Sequence, residues 1–364
     1  MKKIGVLTFW GVPNYGAFAQ AYALNKILKD CYKNAEVVHL AYLHTKHKKL
    51  YFKKRRPKIV SARSLLSIEY YKSLIGYCLN PAIRYHEFDK DWNSIHHVLL
   101  SKKSCLEKYY CDVIITGSDA IWEYSVPAFG NDEHLIGNKL NCKKLVSYAA
   151  SFGNMDPDSN FKPFIKNGLK NYDAISVRDE TSRIIVDKLL SKTVAVEVID
   201  PTLVYDFRSD PNIPISSYER YILVYGNDFS EILINEVVGY AKEHKLTIIG
   251  AGIAPSWCDV RLTDIGPLAW IGMFQNAEFV VTCTFHGLMF SINYEKKIVF
   301  NQVAYVKNRS TTLLEKLGLY ELYKNGTTLH QVLDYDWNYA EINKKLDGLR
   351  LESMVFLRGL RLDE

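Results

Sequence analysis

The sequence predicts an α/β protein of two parallel-sheet domains facing each other across a cleft. Three observations carry that expectation. At 364 residues the chain is too long for one ordinary core. Short apolar runs alternate with helix-period stretches in two separate series. Between the series lies YDFRSDPNIPISSYERY (205–221), whose two prolines and several turn formers read as a linker.

In the first series KIGVLT (3–8) is an apolar strand, AFAQAYALNKIL (17–28) repeats apolar residues at helical spacing, and EVVHL (36–40) is strand again. DVIIT (112–116), LVSYAA (145–150), AISV (174–177) and VAVEVI (194–199) each read as a buried strand flanked by turn residues. Strands of this kind imply a mostly parallel sheet covered on both faces. The stretch 42–110, rich in Tyr, Lys and His with weak strand signals, is expected to be a helical insertion. The second series gives strands at 221–225, 246–250, 279–282 and 298–300 and helices at 231–244 and 288–294. A final helical stripe follows at Ile342, Leu346, Leu349, Val355, Leu357 and Leu360. The expected units are therefore 1–208 with the basic insertion at 42–110, then 218–335, and a helix over 336–364. A ligand site is expected between the carboxyl ends of the two sets of strands.

Hydrophobic residues at 48% and charged ones at 24% fit a globular chain and exclude a disordered one. MKKIGVLTFW runs directly into a Gly/Pro/Asn loop and reads as a buried first strand rather than a leader. The most apolar long window, 65–83, is broken by Glu69, Lys72 and Asn80 and is not a membrane span. Seven dispersed cysteines without a Cys-x-x-Cys pair point to reduced thiols in a cytoplasm and to no structural metal. The net charge of +6 is local. Lys46, Lys48, Lys49, Lys53, Lys54, Arg55, Arg56 and Lys58 carry eight cations with no acid among them, and the remainder is close to neutral. That distribution does not describe a nucleic-acid-binding domain.

Two strand-to-helix turns are candidates for chemistry. In TFWGVPNYGAFAQAYAL (8–24) the loop containing Gly11, Pro13, Asn14, Tyr15 and Gly16 precedes a helix that carries Gln20. Glycines admit a ligand to the backbone, and a helix start favours an anion. There is neither a Gly-Lys-Ser/Thr ending nor a Gly-x-Gly-x-x-Gly, and an ordinary turn fits equally well. In EFVVTCTFHGLMFSINYEKKIVF (278–300) an apolar strand ends at Thr282, and Thr284 is placed to cap a helix holding His286 in its first turn. Gly287 lets a ligand or a neighbouring backbone come close. The positive helix end favours a neutral imidazole, suited to binding an anion or transferring a proton. A lone histidine at such a position is nonetheless more often structural. Further polar strings sit at strand ends: Thr116-Gly117-Ser118-Asp119, SYAASFG (147–153), Ser176-Val177-Arg178-Asp179 and Asp200-Pro201-Thr202. The Arg178 guanidinium suits a carboxylate or phosphate, or else an intramolecular pair with Asp179 or Glu180.

Taken in order, NYGAFAQAYAL, ITGSDAIW, VSYAASFG, ISVRDETS, VIDPTL and GPLAWIGMFQNAEFVVTCTFHGLMFSI resemble the polysaccharide pyruvyl transferase family. The resemblance runs from residue 3 to about 318, and six strings in register are strongly specific. It implies a GT-B-like architecture of two Rossmann-like domains, with the last helix packing back on the N-terminal domain. It also implies transfer of a pyruvyl group from phosphoenolpyruvate, without a further cofactor or metal, to two hydroxyls of a sugar. The product is a cyclic ketal on a surface-polysaccharide precursor carried by a polyprenyl diphosphate at the inner membrane face.

Carried over by position, the family's arginine and basic-x-His triplet fall on Arg178 and on Thr284, Phe285 and His286, with Gly287 beside them. Thr284 stands where many members have arginine, and Lys307 or Arg309 are candidates to supply that charge. In this reading Arg178 binds the donor and His286 is the acid or a phosphate ligand. Asp119 is the base for the acceptor hydroxyls, and Asn14, Tyr15, Gly16 and Gln20 face the acceptor or an anion. The basic run 46–58 is a candidate contact for anionic lipid headgroups or the acceptor diphosphate, and a solvated loop is the alternative. A GT-B glycosyltransferase using a sugar nucleotide is the nearest rival. It commonly needs a late acidic residue for the ribose, and Glu278 precedes its strand instead of following it. A non-catalytic carbohydrate-binding protein is the other rival, favoured by 25 Tyr and 6 Trp.

Overall fold

The computed structural model describes residues 1–52 and 86–362. Among these residues two sheets form, and every strand pair in them is parallel. The first has seven strands: β1 (Lys2–Leu7), β2 (Ala35–Ala41), β3 (His97–Leu99), β4 (Cys111–Thr116), β5 (Cys142–Ala150), β6 (Ala174–Val177) and β7 (Ala195–Glu197). Their spatial order is β3-β2-β1-β4-β5-β6-β7. The second has β8 (Tyr221–Tyr225), β9 (Thr247–Ala251), β10 (Val260–Leu262), β11 (Ala277–Thr282) and β12 (Lys297–Phe300) in the order β10-β9-β8-β11-β12. Each order reverses beside its first strand, between β1 and β4 and between β8 and β11. Ligand crevices open outside the carboxyl ends of strands at such switch points.

The stretch 42–110 is not wholly helical among its described residues. Helices occur at Thr45–Phe52, over 86–93 and at Lys103–Lys108, but His97–Leu99 joins the first sheet as its edge strand beside β2. Three residues are too few to show a period-2 pattern, and sheet pairing rather than propensity makes the strand. Lys53, Lys54, Arg55, Arg56 and Lys58 lie outside the described residues. Lys46, Lys48 and Lys49 are exposed on the Thr45–Phe52 helix, and His47 turns inward between Phe9 and Phe129.

Among the contacts that join the two halves are three that lie outside the polar site. Tyr15, on the first helix (Tyr15–Cys31), inserts its ring beside Trp270 and Tyr225 of the second half and donates its hydroxyl to Ile265 O at 2.8 Å. Asp91 Oδ2 accepts from Leu268 N at 2.9 Å at the start of the Pro267–Gly272 helix. The helix Tyr339–Gly359 begins against Leu314 and Leu317 through Ile342 and Leu346. It ends with Leu357 beside Ile4, Leu28 and Val113 of the first half, and Leu360 belongs to the same cluster. Its apolar stripe thus serves two cores in succession, each fully buried Leu contributing about 1.5–3 kcal/mol. No helix among the described residues is long and apolar enough to cross a membrane.

Candidate active site

The carboxyl ends of β1, β4, β6, β7 and β11 converge on one buried polar cluster. At the end of β11 the Thr284 hydroxyl accepts from Gly287 N at 3.0 Å and caps the Phe285–Asn293 helix. Thr282 Oγ1 and Thr284 Oγ1 lie 3.0 Å apart beneath Gly287, where a β-carbon would come within 2.1 Å of Thr282 Oγ1. Gly287 is therefore explained by this packing. His286 in the first turn is 9% exposed and faces the first helix, where a β-carbon on Gly16 would fall 2.0 Å from its Nδ1. The two turns singled out in the sequence are thus opposite walls of a single site.

Arg178, at the end of β6, is the centre of the cluster. Its Nη1 donates to Asp200 Oδ2 at 2.6 Å and its Nη2 to Asp119 Oδ1 at 3.4 Å. It does not use its chain neighbour Asp179, which accepts from Ser182 N at 2.8 Å as cap of the Glu180–Leu190 helix and from Ser151 Oγ at 2.6 Å. The guanidinium lies 4.5 Å from the Phe285 ring centroid, and the Arg309 guanidinium approaches the same ring at 5.5 Å. Arg309 reaches in from the Ala304–Leu317 helix, whereas Lys307 on that helix is exposed. Of the two cations that could supply the charge absent at Thr284, the geometry brings Arg309 into the cluster.

Asp119 adopts φ 78° after β4, and its Oδ1 also accepts from Ala120 N at 2.8 Å. Burial alone would raise its pKa, but Arg178, His286 and Arg309 outweigh that and hold it below the usual carboxylate range. Burial is the main cause that lowers His286; Asp200 and Asp119 oppose the shift, and Arg178 and Arg309 add to it. Arg309 is lowered by burial first and by Arg178 next. The buried Arg178 guanidinium and the half-buried Arg309 thus lie close to an imidazole whose protonation burial disfavours. Among the described residues Arg178 Nε, Arg309 Nε and His286 Nε2 find no hydrogen-bond partner although they are buried. Buried polar atoms left unpartnered in this way are costly unless a ligand satisfies them.

The remaining candidates are placed as follows. Asn14 caps the first helix, accepting from Ala17 N at 3.1 Å. Tyr15 docks into the second half, as described. Gln20 is fully buried and spends its amide on Thr8 Oγ1, Ala17 O and Ser118 N, which fixes the loop leading to Asp119. Asp200, in sequence only part of the Asp200-Pro201-Thr202 turn, binds Arg178 and lies 4.0 Å from His286 Nε2. Its signal was available: an Asp directly before a Pro in the first turn of a helix (Pro201–Val204) is a cap.

Two facing parallel-sheet domains with a buried cluster of charged side chains between their strand ends define a GT-B-type α/β protein. The chain belongs to the polysaccharide pyruvyl transferase family, whose model matches residues 14–300. No curated protein matches it. Among solved structures it is similar to a putative UDP-N-acetylglucosamine 2-epimerase from Listeria monocytogenes, at 7% identity and TM-score 0.50, covering 96% of this chain and 90% of that one. It is likewise similar to UDP-GlcNAc 2-epimerase from Neisseria meningitidis bound to UDP-GlcNAc, at 10% identity and TM-score 0.50, covering 99% of each chain. Likeness at such identity concerns the fold alone.

Proposed function

We propose that the protein transfers a pyruvyl group from phosphoenolpyruvate to two hydroxyls of a sugar and so closes a cyclic ketal on a surface-polysaccharide precursor. The observation that carries this reading is the set of unpartnered nitrogens on Arg178, Arg309 and His286. Phosphoenolpyruvate presents a carboxylate and a phosphate on one small frame, which suits two guanidinia stacked on one ring.

The residues divide the work as follows. Arg178 and Arg309 neutralise the donor's two anionic groups, and Phe285 holds the guanidinia in register. His286 delivers a proton to the methylene carbon, which becomes a methyl group and leaves an oxocarbenium-like centre. One acceptor hydroxyl attacks that centre, then phosphate departs and the second hydroxyl attacks. Of the two hydroxyl protons, one restores His286 and one leaves with phosphate. Asp119, held ionised, is the base on the acceptor side.

The acceptor in this reading is a polyprenyl-diphosphate-linked sugar, met at the inner membrane face by a cytoplasmic protein. The exposed Lys46, Lys48 and Lys49 beside the first domain's strand ends support contact with its anionic headgroups. Incubation with phosphoenolpyruvate and a lipid-linked glycan should release phosphate and add a pyruvyl-sized mass to the glycan. A transfer that needs a sugar nucleotide instead would favour the glycosyltransferase reading.

A further inference from the structure

Asp200 joins the two working groups of the site. Its Oδ1 accepts from Thr202 N at 3.0 Å and from Thr202 Oγ1 at 2.7 Å. Its Oδ2 accepts from Arg178 Nη1 at 2.6 Å and from Ser118 Oγ at 3.1 Å, and stands 4.0 Å from His286 Nε2. The residue is 1% exposed, so bulk water does not screen the carboxylate. These contacts fix it from three directions: the cap of the Pro201–Val204 helix, the loop after β4, and the end of β6.

Among the described residues, the charged groups that act on His286 include four from separate elements. Asp200 follows β7, Asp119 follows β4, Arg178 ends β6, and Arg309 comes from the Ala304–Leu317 helix; Gly16 covers the ring with uncharged backbone. Two cations and two carboxylates cancel formally, and burial then disfavours the charged imidazole. An anion with two or more negative charges on the guanidinia upsets that balance. It competes with Asp200 for Arg178, while Asp200 stays beside the imidazole.

We propose that Asp200 is the positioning residue that makes His286 take up a proton when an anionic donor binds. One carboxylate oxygen serves the guanidinium in the empty site and the imidazolium in the occupied one. The acid is then charged only when there is a substrate to protonate, and by reciprocity the proton tightens the anion. This inference rests on the function proposed above only for the identity of the anion.

The test follows the His286 ring by NMR in the full-length protein labelled at histidine, with the His286→Asn spectrum to assign it. Saturating inorganic phosphate, and separately phosphoenolpyruvate, should raise the titration midpoint by about one unit or more. Asp200→Asn should lose most of that rise and move the high-pH limb of kcat to lower pH, with kcat down on the order of 100-fold. Should Asp200→Asn not fold, Ser118→Ala removes one competing donor from Oδ2 without changing charge. It should raise the ligand-free midpoint, and an unchanged midpoint counts against Asp200 acting through this oxygen. A midpoint unmoved by either anion, or a full rise in Asp200→Asn, overturns the inference. Phosphate-linked proton uptake without phosphate release from phosphoenolpyruvate would keep it and end the donor reading.

Discussion

Gly16 and His286 touch across the cleft, and a single β-carbon on Gly16 would fall 2.0 Å from the imidazole Nδ1. The contact sets the ring's position from the side opposite Asp200. Gly16→Ala is tolerable to the helix itself, since alanine is the best helix former. It should nevertheless push His286 off line and lower kcat/KM for phosphoenolpyruvate on the order of 100-fold, the usual cost of an ångström of misplacement. Steady-state phosphate release measures it, and wild-type turnover in the variant would mean that the two walls do not meet during catalysis.

Arg178 is expected to matter for stability as well as for donor binding. It is the counter-charge to Asp200 and Asp119, both buried. Arg178→Met removes the cation bonded to both buried carboxylates and should destabilise the fold by about 3–5 kcal/mol. Arg178→Lys keeps a charge but not the fork that reaches both partners, and should recover only part of the loss. Urea unfolding of the three proteins gives the comparison.

Arg309 and Lys307 are two positions apart on one helix and should behave oppositely. Arg309→Ala removes a charge-assisted donor aimed at the anion and should raise KM for phosphoenolpyruvate by roughly tenfold to a hundredfold. Lys307→Ala, an exposed position, should leave KM near wild type. Equal effects of the two changes would contradict the placement of Arg309.

The fold was readable in the sequence because buried parallel strands are near-continuous apolar runs bounded by turn residues, as at DVIIT and FVVT. What escaped was small or decided by tertiary pairing: His97–Leu99 and Val260–Leu262, three residues each, become strands only beside β2 and β9. Local signals were enough for the Thr284 cap. No local signal reveals that Arg178 would choose Asp200 and Asp119 over Asp179, because that choice depends on which strand ends lie side by side. The same holds for Gln20, whose turn looked exposed to a ligand but whose amide is consumed by Thr8, Ala17 and Ser118.

Away from the site, His134 is buried between Asp132 Oδ1 at 2.7 Å and Glu107 Oε1 at 2.9 Å. Burial alone would lower its proton affinity, but the two carboxylates outweigh it and raise the pKa above 6.5. The folded protein therefore binds this proton more tightly than the unfolded chain does. The resulting stability is fully present below the ordinary histidine pKa and is lost as pH rises through the raised value. His134→Gln should flatten that part of the stability–pH curve, as read by urea unfolding between about pH 5 and 9. An unchanged slope would show that the triad carries no linked proton.

The most direct measurement is product analysis with wild type and His286→Ala side by side. Each is incubated with phosphoenolpyruvate and lipid-linked glycan, and circular dichroism confirms that the variant is folded. Wild type should release one phosphate for every pyruvyl group gained by the glycan, and the folded variant should do neither. Pyruvylation at an undiminished rate by His286→Ala would contradict the assignment of the site, and a wild type that leaves phosphoenolpyruvate untouched would contradict the proposed reaction.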